Sequence, residues 1–172
     1  LEALLSHRDR HTQPLRELEY VAFQFEAMLD QGAYYEVKRH RMLTLTPQPL
    51  TTRLGYATPR LIADAGLEPQ YDDLMALASS TFEALQNKNQ AAASYVVPNA
   101  YNRRFLVALN LRSALHFIAL RSEPNAHFAV RRLALKLADE IENAIPDFHG
   151  LLPRCQEESV QSIEARYFSR LK

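Results

Sequence analysis

Disulfide chemistry is absent from this chain: its single cysteine, Cys155, has no internal partner, which fits a reducing compartment and makes a cytoplasmic location the expectation. Net charge is missing too. The 20 Lys and Arg residues balance 20 Asp and Glu, so no overall field draws the chain to nucleic acid or an anionic membrane, and any anion site has to be local. Only 4 glycines are present and they form no phosphate-cradling loop, while the Ser, His and Asp residues form no nucleophile elbow. The histidines, at 7, 11, 40, 116, 127 and 149, include no two at the close spacing of a zinc site with carboxylate or cysteine support, so no metal is expected. Apolar stretches are broken by Arg, Asn or Asp before they could span a bilayer, and the N-terminus lacks the cationic-then-apolar layout of a signal peptide. Repeats and low-complexity segments are absent as well.

What is present suits one compact domain: 172 residues, 47% hydrophobic and 23% charged. The chain opens Leu1-Glu2-Ala3 without an initiator Met, and the expectation is a piece of a longer polypeptide. A short N-terminal helix is expected to enter a strand near Tyr20 to Phe25, with 26 to 29 compatible with helix. Alternating Thr and Leu over 43 to 46 predicts a strand, and Pro47 and Pro49 then impose a loop over 47 to 59. Leu74, Leu77, Ala78, Phe82 and Leu85, behind Pro69, predict an amphipathic helix over 69 to 88. Phe105, Ala108, Leu109, Leu115 and Ile118 predict a helix over 101 to 121, and Ser122-Glu123-Pro124 opens another that Pro146 stops. The tail from Gln156 is helix-compatible.

Two clusters could carry chemistry. Arg39-His40-Arg41, beside Lys38, offers guanidinium and imidazole donors for a phosphate or a ring carbonyl; alone, it fits a solvated basic face as well. Asn110, Ser113 and His116, with Arg121 three turns on, would share one side of a helix over 101 to 121; that stripe faces either a ligand or solvent.

Taken together, these residues resemble a known family. Arg39-His40-Arg41 with Thr44 beyond it is similar to the start of the flavin-dependent thymidylate synthase signature. Upstream, Glu19-Tyr20-Val21-Ala22-Phe23-Gln24-Phe25 resembles the family's Glu-His and Phe-Thr-Phe strand, with Tyr20 in place of a histidine. Downstream, Asn110-Leu111-Arg112-Ser113 with His116, Leu120-Arg121 and Ala126-His127-Phe128 resembles its Asn-x-Arg-Ser, Leu-Arg and Ala-Gln-Trp helix pair, so the likeness covers about 17 to 145. The resemblance implies an α+β fold: a curved, mostly antiparallel sheet from the Phe23 and Met42 segments, packed against a helical layer of 69 to 88, 101 to 121 and 123 to 145. It further implies reductive methylation of dUMP to dTMP, with methylenetetrahydrofolate giving the one-carbon unit, FAD the hydride and NADPH the reducing equivalents. Arg39, His40, Arg41, Asn110, Arg112 and His116 would face the flavin, and Arg121 would hold the pyrimidine, in a tetramer whose sites draw on several protomers.

Departures concentrate on the nucleotide side. The family's Asn-Glu-x-Ser-x-Arg-Tyr falls on Thr46-Pro47-Gln48-Pro49-Leu50-Thr51-Thr52, another phosphate-binding arginine falls on Ser94, and a glutamine becomes Glu36. Each lost charge-assisted contact is worth about 1.5 to 3 kcal/mol, so a dianionic phosphate is poorly received unless Arg53 compensates. Three readings follow: a divergent active synthase, a degenerate domain that completes or stabilises a tandem partner in an oligomer, or a nucleotide sensor on the same fold.

Overall fold

The computed structural model describes residues 13–171; the expected N-terminal helix and the basic stretch from His7 to His11 lie largely or wholly outside them. A 3₁₀ turn, Arg16–Tyr20, leads into β1, Ala22–Asp30. Phe23, Phe25, Ala27 and Leu29 point inward while Gln24, Glu26 and Met28 point out, the period of two that a half-buried strand requires. Residues 26 to 29 are therefore strand and not helix. At Asp30 the chain passes directly into α1, Gln31–Val37, because the Asp30 carboxylate accepts the Ala33 N–H at 2.8 Å and satisfies a donor that the first turn leaves orphaned. No element was expected at α1.

After β2, Thr44–Pro47, and a loop, the chain forms β3, Thr58–Pro59, then α2, Arg60–Asp64, α3, Glu68–Gln86, and α4, Gln90–Ser94. Met42 lies in the turn before β2, not in a strand. Next comes the main correction to the sequence expectation. Residues 101 to 121 are not one helix: Asn102–Asn110 is strand β4, and α5 is confined to Leu111–Arg121. Phe105, Val107 and Leu109 are buried at alternate positions. The apolar set 105, 108, 109 fits a helical stripe nearly as well as this alternation, and pairing with β1 decides between them.

β4 is the middle of an antiparallel sheet of order β1-β4-β2. It pairs with β1 from Ala22↔Asn110 to Asp30↔Asn102, and with β2 from Thr44↔Ala108 to Pro47↔Phe105. Helix α6 is Phe128–Ala144, capped by His127 through the Ala129 N–H at 3.3 Å, and not begun at Ser122, which instead terminates α5. Helix α7, Val160–Tyr167, ends in β5, Phe168–Arg170, which pairs with β3. Phe105, Leu111, Leu115, Phe117, Ile118, Val130 and Ile141 form the centre of the core between sheet, α5 and α6. A smaller core gathers Met75, Phe82, Ala93, Val97 and Tyr101 around α3. The architecture is α+β, and no helix among the described residues is long and apolar enough to cross a membrane.

Candidate functional site

Helix α5 carries candidate residues at both ends, and the chain treats the two ends differently. At the N-terminal end Asn110, the last residue of β4, accepts the Ser113 N–H at 2.8 Å and caps the helix. Asn110 and His116 therefore do not lie along one side of a continuous helix. Arg112 donates from Nε to the Pro14 carbonyl at 3.0 Å and from Nη1 to Glu19 Oε1 at 2.7 Å. Glu19 also pairs with Arg16 at 3.3 Å, and Arg16 followed by Arg112 holds its carboxyl below the usual range. These groups pin the 3₁₀ turn to the helix. Tyr20, at the end of that turn, is exposed.

At the C-terminal end α5 meets the chain leaving α1. The His40 N–H returns to the Val37 carbonyl at 3.0 Å, and this tight exit brings His40 inward, 7% exposed, while Arg39 and Arg41 on either side stay in solvent. The His40 ring lies 5.2 Å from the ring of exposed His116 and 5.4 Å from that of buried Phe117, edge-on at 89°. Burial, then the neighbouring His116 and Arg121, push its pKa down to about 4, so the imidazole is neutral at pH 7. Its Nε2 is buried without a hydrogen-bond partner among the described residues. Glu36, on the last turn of α1, accepts from Arg121 Nη1 at 2.7 Å, and Arg121 Nε is likewise buried and unpartnered.

Burying such an atom unpaired costs about 1 to 3 kcal/mol. A ligand that covers the cluster and offers hydrogen-bonding groups recovers that cost. This donor set fits a polar heterocycle such as an isoalloxazine or a pyrimidine: a neutral imidazole, an oriented guanidinium, and two exposed guanidiniums for accompanying negative charge.

Other sequence candidates fall elsewhere. Arg53 donates to Gln86 of α3 at 3.3 Å and lines a shallow depression with Thr52, Tyr56, Ser79 and Tyr101 that shares no residue with the His40 cluster. The Ser94 hydroxyl donates to the Ala91 carbonyl of its own helix at 2.7 Å. Thr52 accepts from Ser79 at 3.0 Å.

Two features escape sequence reasoning. Phe117, the wall against which His40 packs, follows His116 directly, but which face of α5 it occupies depends on where the helix begins. The second is an apolar cavity of about 660 Å3 between β1 and α6, lined by Phe25, Leu29, Leu133, Leu137 and Phe168. Its rim cations Arg132 and Lys136 already pair with Glu164, at 2.5 and 3.6 Å. Nothing in the sequence pattern marks β1 as an edge strand beside a gap.

Comparison with known proteins finds relatives over most of the chain. A family model described as thymidylate synthase complementing protein matches residues 1–147. A UPF0159 protein of Chlamydia muridarum is 36% identical over 154 residues, 88% of this chain and 29% of that protein. A UPF0159 protein of Thermoplasma acidophilum is 33% identical over 147 residues, 84% of this chain and 30% of its own length. A flavin-dependent thymidylate synthase of Geobacter sulfurreducens is 26% identical over 149 residues, 80% of this chain and 64% of the synthase. The chain thus spans under a third of the length of these UPF0159 relatives.

Proposed function

Because the chain belongs to the thymidylate synthase complementing protein family, we propose that it is a flavin-dependent thymidylate synthase-like domain that holds FAD at Arg39, His40, Arg41 and His116, with dUMP against Arg121 and Glu36. The observation that carries this reading is the buried, unpartnered Nε2 of His40 beside the unpartnered Nε of Arg121. Exposed Arg39 and Arg41 supply positive charge next to them. Bound reduced FAD would supply the hydride for converting the one-carbon unit of methylenetetrahydrofolate into the methyl group of dTMP, with NADPH restoring it. The chain's own residues bind and orient. Neutral His40 offers its ring nitrogen without adding charge, the planar Arg121 fork presents N–H groups to a ring carbonyl edge, and Phe117 keeps water from the inner side of the imidazole. Asn110 and Arg112 act one step back, fixing the start of the helix that carries His116 and Arg121.

A second reading is favoured by one observation: groups expected to meet ligand are partly spent inside the chain, Arg112 on Glu19 and Pro14 and Arg53 on Gln86. In that reading the domain binds flavin but completes a partner domain's site in a tetramer-like assembly without turning over alone.

FAD titration tests the shared part. Quenching of flavin fluorescence with a shifted visible spectrum is expected, and an unchanged spectrum at saturating protein would remove both readings. Tritium release from dUMP labelled at the ring carbon that receives the methyl group then separates them: release by this chain supports the synthase, and flavin binding without release supports the assembly domain.

A further inference from the structure

We propose that the outer face of α3 is a self-association surface, against which a second copy of this chain lays its own α3 antiparallel. The face shares no residue with the His40 cluster, so this inference stands or falls apart from the flavin reading.

Helix α3 meets the rest of the chain along one side. Met75 and Phe82 are buried, and Tyr71, Ala78 and Leu85 half-buried, in the smaller core, the three-and-four spacing of a single packed stripe. Leu74 and Leu77 belong to the same apolar pattern in the sequence, yet they point the other way and are 64% and 62% exposed. Leu67, at the entry to the helix, is 46% exposed, and Leu61 of α2 is 80% exposed. Charge is sparse on that outer side: of its exposed positions from Leu67 to Ala84, only Asp73 and Glu83 are ionised, and none is a cation. Single exposed leucines are ordinary. A run of them along one helix face, presenting roughly 500 Å2, marks an interface.

The spacing identifies the occupant. Leu67, Gln70, Leu74, Leu77, Thr81 and Ala84 recur at alternating intervals of three and four residues, the seam of a helix that packs on another helix. Reversed, this seam is its own complement. In an antiparallel pair Leu74 meets Leu77 of the second copy, Gln70 meets Thr81, and Leu67 fills the space beside the small Ala84, each contact made twice about one two-fold axis. Exposed Asp64, ahead of the helix, comes to the end that carries exposed Lys88, so opposite charges meet at both ends, whereas a parallel pair sets like against like. Asp73 comes opposite the uncharged Ser80. Two such faces bury about 1,000 Å2, the lower limit of a specific interface, which fits a dimer with Kd on the order of 10 μM. An anionic membrane is a poor occupant, because the face offers it no cation.

Sedimentation velocity of this chain over a concentration series tests the pairing. A monomer–dimer equilibrium is expected. Leu74→Asp combined with Leu77→Asp is expected to weaken it by about 100-fold or more and to leave the far-UV circular dichroism unchanged, since neither side chain packs within its own chain. Oxidation in a Cys155→Ser background reads the direction: Leu67→Cys combined with Ala84→Cys is expected to give a covalent dimer, and either cysteine alone none. A chain that stays monomeric up to about twenty times the expected Kd overturns the proposal, as does a dimer that the paired Asp substitutions leave intact or a covalent dimer from Leu67→Cys alone. Binding of a monomer to phosphatidylcholine vesicles, lost in the Asp variant, gives the face to a lipid surface and overturns it too. Should the Asp variant fail to fold, the cysteine pairs decide.

Discussion

The two ends of α5 show how one run of motif residues can serve opposite purposes. At its start, Asn110 and Arg112 are satisfied inside the chain, by the Ser113 N–H, the Pro14 carbonyl and the Glu19 carboxylate. At its end, Arg121 and the packed His40 keep buried polar atoms without partners. The first end is built as a fold should be, with each polar group paired; the second carries a local cost that natural sequences retain mainly where a ligand removes it. Being polar and on the same helix does not distinguish them. The distinction is whether the arriving segment closes every hydrogen bond: Glu19 and Pro14 take both Nη1 and Nε of Arg112, while Glu36 takes Nη1 of Arg121 and leaves its Nε open.

The most disruptive test strikes the wall under His40. Phe117→Ala is expected to cost about 3 to 5 kcal/mol of stability by emptying a core position, read by denaturant unfolding, and a loss below about 1 kcal/mol would contradict the burial of the ring under His40. Next, Arg39→Ala combined with Arg41→Ala is expected to weaken FAD binding about 100-fold, close to 3 kcal/mol for two charge contacts, by fluorescence titration. An unchanged affinity would move the flavin away from this end of α5.

A third test uses pH. The folded state holds His40 at about 4, below its ordinary 6.5, so the unfolded chain binds the extra proton more readily between those values. The contribution of His40 is complete above pH 6.5 and is lost as pH falls toward 4. That loss should be about 2 kcal/mol once screening at the ring edge is included. Subtracting the unfolding profile of His40→Gln isolates this limb, and identical profiles would contradict the burial assigned to the ring. At the opposite end of the helix, Asn110→Ala is expected to cost about 1 kcal/mol for a lost cap and to leave the acid limb in place, which sharpens the contrast between the ends. The smallest effect is expected at Arg53→Ala, within about 0.5 kcal/mol in stability and with no change in FAD affinity; a marked loss of FAD would bring the 48–57 loop into the site.

Much of the fold was legible because it rests on local rules. The 69–88 helix follows from Pro69 and its apolar stripe, the strand expected over 43 to 46 and found at Thr44–Pro47 from Thr-Leu alternation, and the close of α6 from Pro146. The segment from 101 to 110 was not legible, since its apolar residues fit a period of 3.6 or of 2, and the choice depends on β1 lying alongside. The site behaved similarly. The residue types and order of Arg39-His40-Arg41, Asn110-x-Arg112 and Arg121 stand out in the chain. That Glu36 would take hold of Arg121, and Glu19 of Arg112, could not be read from intervals of 85 and 93 residues.

By itself, the sequence determined the family, the balance of charge, the helix and turn signals, and which side chains could act chemically, because these depend on composition and on neighbours a few residues apart. Tertiary structure alone decided that residues 102–110 extend as the central strand, that His40 is buried and neutral, and that both arginines of α5 are held by a glutamate while only Arg121 keeps a buried Nε without a partner. Those outcomes depend on burial and long-range pairing, which shift free energies by several kcal/mol only once distant segments have come together.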